Sequence, residues 1–244
     1  MKTWIAFWNI LKKDMQNYYL KAPNISWGLI FPLAWTLMFF IRSEQAVDIN
    51  EILPGVMAMS ILFGTTSMLA VTITFERKGR SFDRLLLAPV SLNIMVLAKT
   101  FGAILFGIIN AFIPIMLSSS VINFTNVNWL IVLLAVLLIA VSSTLLGLVI
   151  ATSAKEVFEA QTFSNFFRFP MLFLCGLFIP INDLPVFLQP FSYILPLTYG
   201  TDVLNEALLN AGLINIWADI AALIGFTVLL FILSLSNINK KWIL

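Results

Sequence analysis

The chain has 244 residues, of which 60% are hydrophobic and 11% charged; its formal net charge is +2, and it contains one cysteine and no histidine. Without histidine, catalytic triads, metal sites and proton relays that need an imidazole are excluded, and Cys175 has no partner for an intramolecular disulfide. Several apolar runs of about twenty residues match a hydrocarbon layer of roughly 30 Å, and none alternates as a barrel strand would, so an all-α integral membrane protein is expected rather than a soluble domain.

Residues 2–20 are expected to form an amphipathic helix. Trp4, Trp8, Leu11, Met15 and Tyr18 recur at helical spacing, with Asn9, Lys12, Lys13 and Gln16 on other faces. Tryptophan beside lysine suits a helix in the headgroup layer, although a soluble partner-binding helix would share the pattern. Pro23 is expected to break it, so residues 1–24 form an interfacial element and residues 25–244 the membrane domain. No cleavable signal peptide is expected, and the first apolar run reads as an uncleaved anchor.

Six spans are expected, at Ile25–Ile41, Leu53–Phe75, Ile94–Leu117, Leu130–Thr152, Phe163–Ile181 and Ile214–Leu235. With that threading, Arg42 alone of the 14 basic residues falls on one side. The positive-inside rule then places both termini and the loop after the second span in the cytoplasm. The outer side carries Glu44, Asp48, Glu51, Asp183, Asp202 and Glu206. Between Pro180 and Asn215, four prolines interrupt apolar stretches too short to cross, which predicts two outer re-entrant half-helices over about residues 182–212.

Within the spans, Ser60, Gly64, Ser67, Val71 and Thr74 form a narrow stripe of small residues. It reads either as close helix packing or as a pathway lining. Phe163, Phe166, Phe167, Phe169 and Phe173 make the fifth span aromatic, with Gln161 and Asn165 at its cytoplasmic end. These phenylalanines face lipid or core, or else form an aromatic slide at a dimer interface that binds flat or amphipathic molecules. Arg168 and Asp219, both near span ends, are the ionisable groups within the spans. Ion-driven carriers usually bury such groups, so the power source is expected outside the membrane, although carbonyls and hydroxyls could still hold sodium. Cys175 reads as a buried, unreactive thiol. Glu156 and Glu159 flank Lys155 and suit local charge pairing or a second partner contact.

The sharpest local signal is FERKGRSFDRLLLAPVS, residues 75–91. Charge is concentrated at Glu76, Arg77, Lys78, Arg80, Asp83 and Arg84. Gly79 and Ser81 can end one helix and cap the next, Asp83 suits the first turn, and Pro89 stops the helix. Phe82, Leu85 and Leu86 share one face of a short helix over about residues 80–89, with Arg80 and Arg84 outside it. The positive-inside rule explains the basic residues but not this stripe, which is shaped to plug a groove on a soluble partner.

These residues resemble the signature of the type-2 ABC transporter permeases of the daunorubicin-exporter kind. The match runs through Glu76–Gly79, Ser81–Asp83, Leu85–Leu86, Pro89–Ser91 and Lys99. Ser-Phe-Asp stands where that family has a Thr-Leu-Glu-like triplet. A second likeness covers Cys175–Pro180, Leu184–Pro185 and Leu195–Tyr199, except that Asn205-Glu206 stands near where the family often has an arginine. The resemblance implies a multi-pass permease of the plasma membrane, paired with a second copy (a heterodimer staying open) and embedded in lipid. An ABC ATPase subunit would dock at its cytoplasmic face. The chain would catalyse nothing and bind no cofactor, metal or nucleic acid; ATP and magnesium would sit on the ATPase, and no G-x-x-x-x-G-K-[ST] phosphate loop occurs in this sequence. Under that resemblance Glu76, Arg80, Phe82, Asp83, Arg84, Leu85 and Leu86 couple to the ATPase. Ser60, Gly64, Ser67, Phe163, Phe166, Phe167 and Phe173 are the candidate pathway lining. The implied function is outward movement of a hydrophobic or amphipathic, drug-like or lipid-like solute. Export of a lipid-linked glycan is the alternative, and a non-transporting scaffold or sensor is the rival from another class. An intramembrane protease fits poorly, because histidine and a pair of aspartates within the spans are both missing.

Overall fold

The computed structural model describes residues 2–42, 49–87, 90–119, 124 and 127–241. Expectations that rested on Glu44, Asp48 and Pro89 lie outside the described residues. In chain order the helices are α1 (Lys2–Asp14), α2 (Ala22–Ile25), α3 (Phe31–Arg42), α4 (Ile49–Lys78), α5 (Ser81–Leu86), α6 (Leu92–Ser118), α7 (Trp129–Ser153), α8 (Val157–Leu174), α9 (Gln189–Ser192), α10 (Pro196–Leu209) and α11 (Ile216–Lys241). π-helical turns at Met15–Tyr19 and Ser26–Ile30 follow α1 and α2, and no strand occurs among the described residues.

Four helical stretches are long and apolar enough to cross a membrane: Asn50–Lys78, Leu92–Ser118, Trp129–Ser153 and Ile216–Ile238. Ser26–Met38 is a shorter apolar helix, and α8 carries Glu159, Gln161, Asn165 and Arg168 along its 18 residues. The fifth expected span is displaced. Its helix starts at Val157 and ends at Leu174, because Gly176 takes φ +73°, a left-handed conformation that stops a helix and costs glycine little.

The start of the chain also departs from expectation. The π turn bonds the Leu20 N–H to the Met15 carbonyl at 3.0 Å, a repeat of five residues instead of four. The buried face of α1, Phe7, Ile10, Leu11 and Asp14, therefore continues to Tyr19 and not to Tyr18. Trp4 and Trp8, expected on the same stripe as Leu11, are exposed at its edge. Pro23 does not break the helix. The break falls at Leu20–Lys21, and Pro23 occupies the first turn of α2, where a missing N–H is harmless.

Helix α4 is the axis of the bundle, packed against α6, α7, α8 and α10 and buried over most of its length. Two of its hydroxyls are satisfied locally, Thr65 donating to the Ile61 carbonyl at 2.9 Å and Thr74 to the Ala70 carbonyl at 2.8 Å. One of its main neighbours is α7, where Thr66 donates to the Ser143 carbonyl at 3.2 Å. A Cβ on Gly147 would collide with the Thr66 carbonyl, so this approach requires glycine.

The buried apolar residues form two clusters. One joins α4, α7, α8 and α10; the other joins α1, α5, α6 and the lower part of α4 at the end of the bundle rich in basic residues. At the opposite end lie a 3-10 turn (Ile181–Asp183), α9 and α10. Asp202 fastens the next loop by accepting from the N–H groups of Leu213 and Ile214, both at 2.9 Å.

Gly147→Val is expected to push α4 from α7 and cost about 2 kcal/mol of stability, as overpacked cores do. Thermal unfolding of the purified chain in nanodiscs checks this; an unchanged midpoint would contradict the close approach.

Candidate functional site

At the basic end the amphipathic periodicity of α1 brings Lys13 and Asp14 against α4 and α6. Lys99 Nζ lies 2.8 Å from Asp14 Oδ2 and 2.6 Å from Glu76 Oε2. Lys13 Nζ lies 2.6 Å from Glu76 Oε1 and 3.2 Å from Asp14 Oδ1. Asp14, Glu76 and Lys99 are buried, while Lys13 reaches the surface. Two carboxylates and two ammonium groups cancel, which is the arrangement that makes a buried cluster tolerable. Burial alone would lower Lys13, but its hydrogen bond to Glu76 and the nearby Asp14 charge raise it above the ordinary lysine value. Tyr19 adds a neutral tie by donating to the Lys99 carbonyl at 3.3 Å.

This network sets the place of α5. Helix α4 ends two residues after Glu76, and the chain turns at Arg80, which has φ +55° in the left-handed region. Ser81 does not cap its own helix; its hydroxyl donates to the Glu76 carbonyl at 3.2 Å. Phe82 is turned inward, 2% exposed, in a cluster with Ile73 and Met95, and Leu85 packs beside it half-buried. Phe82 and Leu85 thus anchor α5 to its own chain, and the expectation that Phe82 plugs a partner's groove is corrected. The reason is that α4 and α6 leave an apolar gap directly beneath the turn. Arg80, Arg84 and Leu87 point outward, Leu87 being 87% exposed. The side chains of Asp83 and Leu86 lie outside the described residues. Glu76 is likewise interior, so it holds the loop and presents nothing to the surface.

Nearby, Lys78 pairs with Glu156, and Glu159 accepts from the Lys155 N–H at 2.8 Å, so both acids of that junction are engaged within the chain.

The candidate pathway residues divide into two groups. Ser60, Gly64 and Ser67 are all buried. A Cβ on Gly64 would come within 2.7 Å of Asn110 Nδ2, and one on Gly28 within 3.1 Å of the Gly64 Cα, so Gly64 lies in close helix packing within the chain. Phe163, Phe166, Phe167 and Phe173 are exposed along α8. At the opposite end a cavity of about 550 Å³ is lined in part by Glu51, Thr198, Thr201, Asp202 and Asn205.

Arg168 was placed by its sequence position near a span end. In the fold it sits eleven residues into α8, about 16 Å along the helix. Its Nη1 donates to Ser67 Oγ at 3.0 Å and its Nη2 to Asn165 Oδ1 at 2.5 Å, with the Phe63 ring centroid 4.5 Å from the guanidinium carbon. Sequence reasoning also missed Asp14, and it read Lys99 only as a topological charge and a motif position. The signals were present: Asp14 is the lone acid of α1, and Lys99 lies inside the third apolar run.

Residues 5–209 match the family model described as ABC-2 type transporter. The chain is similar to the inner membrane transport permease YadH of Escherichia coli (strain K12), at 24% identity over 97% of this chain and 96% of that protein. It is also similar to Nodulation protein J of Rhizobium meliloti (strain 1021), at 28% identity over 98% of this chain and 93% of that protein. Nodulation protein J of Bradyrhizobium diazoefficiens matches at 28% identity over 74% of each chain.

Lys99→Met is expected to cost about 3–5 kcal/mol, because it leaves two buried carboxylates to one half-buried lysine. Lys99→Met with Asp14→Asn and Glu76→Gln is expected to recover part of that loss. Thermal unfolding of the single and triple variants in nanodiscs decides it: equal loss in both would show that the charges are not coupled.

Proposed function

Because the chain belongs to the ABC-2 type transporter family, and is thereby the multi-pass permease subunit of an ABC transporter with an ABC ATPase as partner, we propose that α5 is the surface through which that ATPase drives export. The observation that carries the reading is the two-sidedness of α5. Its inner face is wedged by Phe82, and its outer face offers Arg84, with Arg80 and Leu87 exposed at the turns on either side. A six-residue helix so anchored transmits a push instead of absorbing it.

The reading has six spans, with Ser26–Arg42 and α8 joining the four long helices, and both termini in the cytoplasm as the basic residues favour. Two copies of the permease would face each other, with ATP and magnesium held by the ATPases. Closure of the ATPases presses on α5. The displacement passes through Phe82 to α4 and α6, through the four-charge network to α1, and along α4 to α8 at the Ser67–Arg168 hydrogen bond. Tilting of these helices then switches the access of a path for a hydrophobic or amphipathic solute. The aromatic surface of α8 supports such a cargo, since phenylalanine faces bind apolar bodies without a fixed hydrogen-bond pattern.

Arg84→Glu with Leu87→Asp changes only the outward face, so the unfolding free energy is expected to stay within about 0.5 kcal/mol while the ATPase is lost from gentle detergent purifications. Mass spectrometry of whatever accompanies the tagged chain from its native membrane reads this out. An ATPase retained in full by the double variant would remove α5 from the coupling surface. Absence of any ATPase from the unaltered chain, also after crosslinking, would put a non-transporting scaffold first.

A further inference from the structure

The two buried cationic sites of this chain are built on opposite terms. Lys99 has two carboxylates against it, whereas no acidic side chain among the described residues forms an ion pair with Arg168, which is 0% exposed. A guanidinium has five N–H donors. Those of Arg168 meet the Ser164 carbonyl at 3.3 Å, the Ser67 hydroxyl and the Asn165 amide oxygen, and the Phe63 ring covers its face. Every one of these partners is neutral. Hydrogen bonding between α4 and α8 could be supplied by a neutral donor at lower desolvation cost, so the charge itself calls for a counter-ion.

The surroundings specify what that counter-ion is attached to. Gln161, Asn165 and Arg168 share one face of α8, and Gln161 Nε2 lies 3.4 Å from Asn165 Oδ1. Gln161 and Asn165 are half-buried, so polar groups lead from the surface near the basic end to the guanidinium. Beside them on the same helix, Phe163, Phe166 and Phe167 are exposed, Phe166 by 71%.

We propose that Arg168 is the head-group site for an amphipathic anion, whose carboxylate, phosphate or sulfate replaces Asn165 or Ser67 on the guanidinium while its apolar body lies along the α8 phenylalanines. This rests on the export reading and names the chemical class of its cargo. The same chemistry has two sources, a free single-chain amphiphile or an anionic membrane lipid.

The test is binding of dodecyl phosphate, against neutral dodecyl glucoside, to the full chain in phosphatidylcholine nanodiscs, followed by native mass spectrometry. Saturable binding of dodecyl phosphate is expected, weakened about tenfold or more in Arg168→Gln and largely kept in Arg168→Lys, with dodecyl glucoside indifferent to both. Should Arg168→Gln fail to fold, Gln161→Leu, which removes the polar group at the entrance of that route, is expected to weaken dodecyl phosphate alone. Nanodiscs containing phosphatidylglycerol separate the sources: competition that depends on Arg168 assigns the site to a resident lipid, and its absence to a free amphiphile. Equal dodecyl phosphate binding by the wild type and folded variants, or no saturable binding, overturns the proposal. Because the permease is assayed alone, that result leaves the ATPase purification unaffected, and the two readings fail separately.

Discussion

Everything at the basic end of this protein depends on four charges that cannot be buried apart. Asp14, Glu76 and Lys99 come from three different helices, and each is stable in the interior only while the others are within contact distance. The positions of α1, α4 and α6 are therefore mutually determined. Lys13 closes the cluster toward the surface. What would otherwise be a helix resting against lipid is fastened to two long helices, and the tryptophan edge of α1 is left outside.

The orientation of α5 follows from that arrangement. Once Glu76 is drawn inward at the end of α4, the chain must reverse within two residues, and Ser81 returns a hydrogen bond to the Glu76 carbonyl. Phe82 then falls over the apolar gap between α4 and α6. The side chains filling that gap are what a displacement at α5 acts against, since close-packed interiors have low compressibility. Helix α4 connects this end to the middle of the bundle, where Phe63 and Ser67 meet Arg168. One helix thus touches both a compensated buried charge site and an uncompensated one, and ligand charge at the second would be felt by the element that carries motion from the first.

Much of this was legible in the residues. Runs of apolar residues marked the long helices, and Gly, Ser and charge in residues 75–91 marked a helical turn. Even the phenylalanine face of α8 was apparent, because spacing on a helix is a local property. Three features were misread for one physical reason. The π turn after Asp14 moved Tyr19 into the place expected of Tyr18; Ser81, expected to cap α5, bonds back to the Glu76 carbonyl; and Phe82 of α5 faced its own chain. Each depends on what stands across the contact, which no periodicity records.

Sequence alone determined that the chain is helical, suited to a bilayer, poor in chemistry that needs imidazole or paired thiols, and equipped with a charged turn between long helices. Those conclusions follow from hydrophobicity, length and residue type, which are additive along a chain. Tertiary structure decided which charges are partners and which are alone. Lys99 and Arg168 both sit in apolar runs, and only the packing of α1 and α4 beside one, and of neutral groups around the other, makes the first a structural anchor and the second a candidate binding site. The physical reason is that the free energy of a buried charge is set by its neighbours in space, and these come from helices far apart in sequence.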